Sequence, residues 1–260
     1  MIRPGLVSIT FRKSSPEEII RMCLDAGLVG IEWGGDVHVP HGQVDVAERV
    51  GRLTRDSGCE VACYGSYYRC GFSEEEGLSF DAVLESALAL GAPSIRVWIG
   101  KRGSAETDDV LRRKVIEDLR RICLLAGEAG VQIRGEKHGG TLTDDDQSLA
   151  LVLKELEGTG FQMLWQPFPA WTVAKNMESL RLVQPILGHL HVFHWVGAKN
   201  ERRVLAEGRD EWAQYLGEVA LREKDCWALL EFVRGDEPSQ LVPDAQSLHE
   251  WLRSVQAIGN

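Results

Sequence analysis

The chain contains no apolar run near the ~20 residues that a membrane-spanning helix needs. Its first residues, Met1-Ile-Arg-Pro-Gly5, have no hydrophobic segment of the signal-peptide kind, so a cytoplasmic protein is expected. Positive charge is short: 29 Lys and Arg stand against 39 Asp and Glu, a formal net charge of -10. An acidic surface repels phosphate backbones, which disfavours a nucleic-acid partner. Among the six cysteines (Cys23, Cys59, Cys63, Cys70, Cys123 and Cys226) there is no C-x-x-C pair. They read as reduced thiols, because a zinc site from Cys59, Cys63 and Cys70 would lack tight spacing and a fourth ligand. No glycine-rich phosphate fingerprint follows the first strand signal, which counts against an open dinucleotide-binding sheet. No linker, low-complexity tract, composition shift or sequence repeat divides residues 1–260, so one domain is expected.

What is present is a strict alternation of strand and helix signals. The strand signals are Leu6 to Phe11, Gly30 to Gly34, Glu60 to Tyr64, Ser94 to Ile99, Val131 to His138, Gly160 to Gln166, His189 to Trp195 and Trp227 to Val233. Helical spacing fills the gaps. Ser15-Pro-Glu-Glu18 has a capping serine, a proline in the first turn and acids at the positive end of the dipole. The other helices are expected at Val44 to Ser57, Ser79 to Leu90, Thr107-Asp-Asp109 to Ala129, Asp144 to Glu157, Asn176 to Leu187, Asp210 to Arg222 and Val242 to Ala257. Gly27, Gly58, Gly91 and Gly130 each close a helix just before a strand. About eight such units predict an α/β fold, a parallel (β/α)8 TIM barrel.

In that fold the active site lies at the C-terminal ends of the strands. The polar residues there are Glu32, Tyr64, Arg96, Glu136 with His138, Gln166, His191 with His194, and Glu231. Glu231 sits in the apolar run Ala-Leu-Leu-Glu-Phe-Val, where a carboxylate is costly unless a cation or a barrel arginine such as Arg96 or Arg134 compensates it. Glu136 ends its strand in a similar setting, and strand alternation predicts that Arg134, Glu136 and His138 share a face. His191 lies nearer its strand end than His189. Together Glu136, Gln166, His191 and Glu231 make a nitrogen and oxygen donor set suited to one divalent ion: Mn, Mg, Co or Zn. Glu32 and Trp33 are expected on a pocket wall, with a solvated rim charge an equal alternative for Glu32. Trp98, Trp165 and Trp195 could stack on a sugar face, though packing explains each more simply. Lys199, Arg202 and Arg203 form a basic loop that could meet a phosphate.

Gly30-Ile-Glu-Trp33, Glu136-Lys-His-Gly-Gly-Thr-Leu-Thr-Asp144, His189-Leu-His-Val-Phe193, Glu207-Gly-Arg-Asp-Glu-Trp212 and Leu230-Glu-Phe-Val233 together resemble the sugar phosphate isomerase/epimerase family of the xylose isomerase-like barrel superfamily. The resemblance spans nearly the whole chain. Each motif is weak alone, and their order is specific for fold and metal site more than for reaction. It implies one divalent metal held by a Glu, Asp, His, Glu set, which falls here on Glu136, Gln166, His191 and Glu231. Gln166 stands where the family has Asp, and Pro169 stands where a histidine is frequent. The resemblance also implies proton transfer through a metal-stabilised enediolate, with Glu136 and Glu231 as base and acid. Glu32, Tyr64, Arg96, Trp98, His138, His194 and Arg202 are then the candidates for substrate binding. The substrate expected is a small sugar, a sugar phosphate or a polyol-derived ketone. A dehydratase or lyase using the same metal, or a sugar-binding protein on an eroded site, is the alternative. A homodimer is the fold-level expectation for assembly.

Overall fold

The structure, a computed structural model, describes residues Met1–Ile258. Eight parallel strands close into a barrel: β1 (Ile2–Val7), β2 (Gly30–Gly34), β3 (Glu60–Arg69), β4 (Ser94–Trp98), β5 (Gln132–Glu136), β6 (Gln162–Trp165), β7 (Leu187–Val192) and, last in the chain, β10 (Cys226–Leu230). The short strands β8 (Trp195–Val196) and β9 (Glu201–Arg202) pair as an antiparallel hairpin apart from the barrel. Helices α1 (Pro16–Asp25), α2 (Val44–Asp56), α3 (Phe80–Leu90), α4 (Asp109–Glu128), α5 (Asp146–Glu155), α6 (Val173–Val183), α7 (Arg209–Ala220) and α8 (Leu241–Ile258) occupy the connections. The expected (β/α)8 architecture is the observed one.

Local chemistry sets most boundaries. Ser15 caps α1 with a full capping box, its hydroxyl accepting from the Glu18 N–H while the Glu18 carboxylate accepts from the Ser15 N–H. Ser79, Asp108, Asp145 and Thr172 cap α3, α4, α5 and α6 in the same way through a side-chain oxygen. Gly27, Gly58, Gly91 and Gly130 all have positive φ, which lets the chain reverse from helix to strand where an L side chain would be strained.

Four expectations shift. The first strand is Ile2–Val7 rather than Leu6 to Phe11, because Ile2 through Leu6 pair in register with Cys226 through Leu230. Pro4 and Gly5 are poor strand formers, and the barrel's pairing overrides them. Ser8–Phe11 turns as a 3-10 helix instead. The third strand continues past Tyr64 to Arg69, through a bulge between Gly65 and Tyr68, so Tyr67 and Tyr68 belong to sheet rather than loop. The fifth strand stops at Glu136, before His138. The basic loop after β7 is partly the β8–β9 hairpin.

Packing gathers the chain into two compact units. One comprises Met1–Glu32, Thr54–Glu60 and the chain from Trp165 onward; Trp165, Trp212 and Tyr215 meet edge to face in its core, at ring separations of 5.1 to 6.4 Å. The other comprises Trp33–Leu53 and Val61–Leu164. There the Tyr68 ring packs against Phe80, and its hydroxyl donates to the Asp118 carboxylate at 3.0 Å.

Candidate metal centre

In the unit that contains β7 and β10, three side chains form a buried acid–imidazole cluster. His191 projects from β7, Glu231 immediately follows β10, and Glu32 lies in β2. Glu32 and His191 are 0% exposed and Glu231 is 6% exposed. Nε2 of His191 lies 3.1 Å from Oε2 of Glu32, and Nδ1 lies 3.2 Å from Oε2 of Glu231. Burial alone would push the imidazole pKa down. The carboxylates of Glu231 and Glu32 outweigh it and push His191 up to about 10. Glu32 is therefore neither a pocket wall nor a solvated rim charge. Its neighbour His189 is also fully buried, with Nε2 3.2 Å from the same Glu32 oxygen.

The unit that contains β4 and β5 holds a second cluster around Glu136, the last residue of β5. Arg96 of β4 forms a buried ion pair with the Glu136 carboxylate, and the Trp98 indole N–H donates to the same oxygen. The Arg96 guanidinium also lies over the Tyr67 ring, 4.5 Å from its centroid. Tyr67 holds a positive φ of 56°, a conformation that costs energy in a bulky residue. The His138 ring stacks on Trp98 at 4.4 Å, and its backbone N–H donates to the Thr143 hydroxyl. That hydroxyl in turn donates to the Glu136 carbonyl, so the Thr141–Thr143 turn fixes the strand end rather than only opening α5. Arg134 and Glu136 lie two apart in β5 and share a face, as expected, whereas His138 does not belong to the strand. Arg134 binds the Gln162 side chain.

Within the unit that contains β7 and β10, His191 and Glu231 each offer a donor atom, 3.2 Å apart, and Glu32 and His189 do the same at 3.2 Å. Carboxylate oxygens and an imidazole nitrogen suit a divalent ion, which would offset the anionic charge beside His191. The residues therefore fit the metal that the sequence implied. Gln166 directly follows β6 and is buried, as an amide donor there would be.

The remaining expected residues are placed as follows. The Tyr64 hydroxyl donates to the Val39 carbonyl at 2.8 Å and lies 2.7 Å from Nδ1 of His41, so it has protein partners of its own. His194 is buried, 3.9 Å from Glu211, and lines a cavity of about 190 Å³ with Trp171 and Trp195. Arg202 is ion-paired to Asp236 and lies over the Phe232 ring at 4.4 Å; it lines a cavity of about 550 Å³ with Arg12, Lys13 and Phe232. Arg203 pairs with Glu201. Trp165 is core. All six cysteines are buried, and none forms a disulfide among the described residues. No helix among the described residues is long and apolar enough to cross a membrane. Tyr67 and the pairing of Arg96 with Glu136 escaped sequence reasoning, because each depends on a neighbour from another strand.

Residues 20–255 match the profile of the xylose isomerase-like TIM barrel family. The chain belongs to that family. A 3-dehydroshikimate dehydratase of Bacillus anthracis is 24% identical over 195 residues, spanning 72% of this chain and 70% of that one. Among solved structures, the probable 3-DHS dehydratase of Bacillus anthracis involved in petrobactin synthesis superposes with a TM-score of 0.78 at 20% identity, over 96% of this chain and 99% of that one. A xylose isomerase-like TIM barrel protein from Mycobacterium smegmatis, in complex with magnesium, superposes with a TM-score of 0.67 at 14% identity, over 97% of each chain. The family membership agrees with the superfamily that the sequence motifs resemble.

Proposed function

We propose that the protein is a divalent-metal-dependent enzyme that removes a proton next to a ketone and then expels a β-hydroxyl as water, acting on a cyclic polyhydroxy keto acid of the 3-dehydroshikimate type. The observation that carries this reading is the buried cluster in which the two ring nitrogens of His191 lie 3.2 Å from Glu231 and 3.1 Å from Glu32 at strand ends. The likeness to a 3-dehydroshikimate dehydratase directs the choice of dehydration over epimerisation.

Glu136, His191 and Glu231 would hold the metal, with Gln166 as a neutral fourth donor. When bound, the ion would polarise the ketone oxygen and take up the charge that develops on it. We assign the proton transfer to Glu231. The Arg96 guanidinium and the Trp98 N–H hold Glu136 as an anion, which favours a fixed anchor over a proton carrier. Glu231 takes the proton from the carbon beside the ketone, leaving an enolate. The enolate electron pair then forms the new carbon–carbon double bond as the β-carbon–oxygen bond breaks. The departing hydroxide recovers the proton from Glu231 and leaves as water, and the carboxylate is regenerated. With 3-dehydroshikimate, loss of one water and tautomerisation of the ring give a dihydroxybenzoate.

The test is incubation of the Mn²⁺- or Mg²⁺-loaded protein with 3-dehydroshikimate while the absorbance of an aromatic product is followed. Turnover that is abolished by chelation and restored by metal supports the reading. Absence of turnover with metal shown to be bound refutes it. Epimerisation of ketoses uses the same acids and is the second reading, favoured by the sequence motifs. It is distinguished by exchange of a carbon-bound proton with solvent deuterium without loss of water.

A further inference from the structure

We infer that Glu32 is a positioning residue for the metal centre: it holds His191 in the tautomer that presents Nδ1 to the ion. The inference rests on the metal-dependent reading above. His191 offers two ring nitrogens, each facing a different carboxylate. Nε2 meets Glu32 at 3.1 Å and Nδ1 meets Glu231 at 3.2 Å. Only one of these can be the metal-facing side. Glu231 is one of the expected metal ligands, whereas Glu32 is not. The Nε2–H of His191 therefore donates to Glu32, and the Nδ1 lone pair faces the Glu231 side. A ligating imidazole whose other N–H is held by a carboxylate is oriented and made more basic, and loss of such a partner typically weakens metal binding ~10–100-fold.

The setting supports this geometry over a role for Glu32 in contact with substrate. Glu32 and His191 are both 0% exposed. Glu32 sits between flanking residues of β2 that are all buried, so its carboxylate cannot swing to solvent. His189 packs behind His191 with its ring tilted by 24° and its Nε2 3.2 Å from the same Glu32 oxygen, which limits the movement of that oxygen from the other side. The rival assignment makes Glu32 itself a ligand, with His189, of a second ion.

Zn²⁺ titration of the full chain by calorimetry, for wild type and Glu32→Gln, tests the inference together with the histidine ¹⁵N spectrum of the Zn²⁺-loaded wild type. The expected result is one ion per chain in both proteins, binding ~10–100-fold weaker in Glu32→Gln, and a wild-type His191 whose proton is on Nε2. Equal affinities in a folded variant would overturn it. So would a wild-type His191 protonated on Nδ1, and so would two ions in wild type falling to one in the variant. Should Glu32→Gln fail to fold, the wild-type tautomer alone decides. A wild type that binds no divalent ion removes the metal-dependent reading and this inference with it. A wild type that binds one ion while Glu32→Gln binds equally well removes this inference alone.

Discussion

Arg96 and Glu136 show how two charges are kept inside a barrel. The pair is 2% and 3% exposed, and the Trp98 N–H shares the load on the same carboxylate oxygen. Removing one partner of a buried pair leaves the other uncompensated, at a cost of ~3–5 kcal/mol. Arg96→Leu should therefore lower stability by about that amount in chelator, measured by urea unfolding. Much of the loss should return on adding Mn²⁺, because the cation would then neutralise Glu136. A loss that metal does not reverse would place Glu136 away from the ion. Glu231→Gln separates chemistry from structure. It removes the proton acceptor while keeping the side chain's shape, so the circular dichroism spectrum should persist while turnover of 3-dehydroshikimate falls by ~10²–10⁴. The spread in that figure reflects how much catalysis the polarising charge supplies by itself.

At the level of elements, the tightest constraint is close approach between strands. A Cβ on Gly5 of β1 would come within 2.6 Å of the Gly30 carbonyl oxygen and 2.5 Å of the Leu229 side chain. The side chain can move, but the backbone of β2 cannot without breaking the ladder. Gly5→Ala should cost ~1–3 kcal/mol as an overpacked site, seen as a fall in melting temperature of several degrees. Gly58, by contrast, has open space around its Cβ position but a φ of 88°. A substitution there tests backbone strain alone. These elements also show what was readable in the chain. Every helix appeared where capping residues and apolar spacing placed it, within a few residues. The first strand did not, because Pro4 and Gly5 mask a segment whose strand state comes from pairing with Cys226 through Leu230. Tyr67 and Tyr68 looked like loop for a related reason: a bulge hides the continuation of β3.

For the molecule as a whole, the acid–imidazole cluster couples stability to pH and to metal. Without metal, His191 titrates near pH 10 in the folded chain, against 6.5 for an ordinary imidazole. The imidazolium's contribution is therefore fully present below the unfolded pKa of 6.5 and is lost as pH rises through about 10. Thermal unfolding of the chelated protein should show stability declining across that window. The metal-loaded protein needs a neutral imidazole, so the decline should be much shallower, and the stabilisation by added Mn²⁺ should grow with pH. Parallel curves with and without metal would show that the ion binds elsewhere.

Sequence by itself determined the architecture and the chemical types at the strand ends. Alternation, caps and closing glycines are local, so a (β/α)8 barrel with acids and histidines at the ends of its strands was legible before any coordinates. Tertiary structure alone decided which of those charges face one another. Glu32 and His191 are 159 positions apart in the chain, and so no local pattern could show that a carboxylate expected at a pocket wall lies behind the imidazole. The same holds for Arg96, which forms a buried ion pair with Glu136. Closing the barrel buries these groups together, and burial makes each charge depend on its nearest opposite.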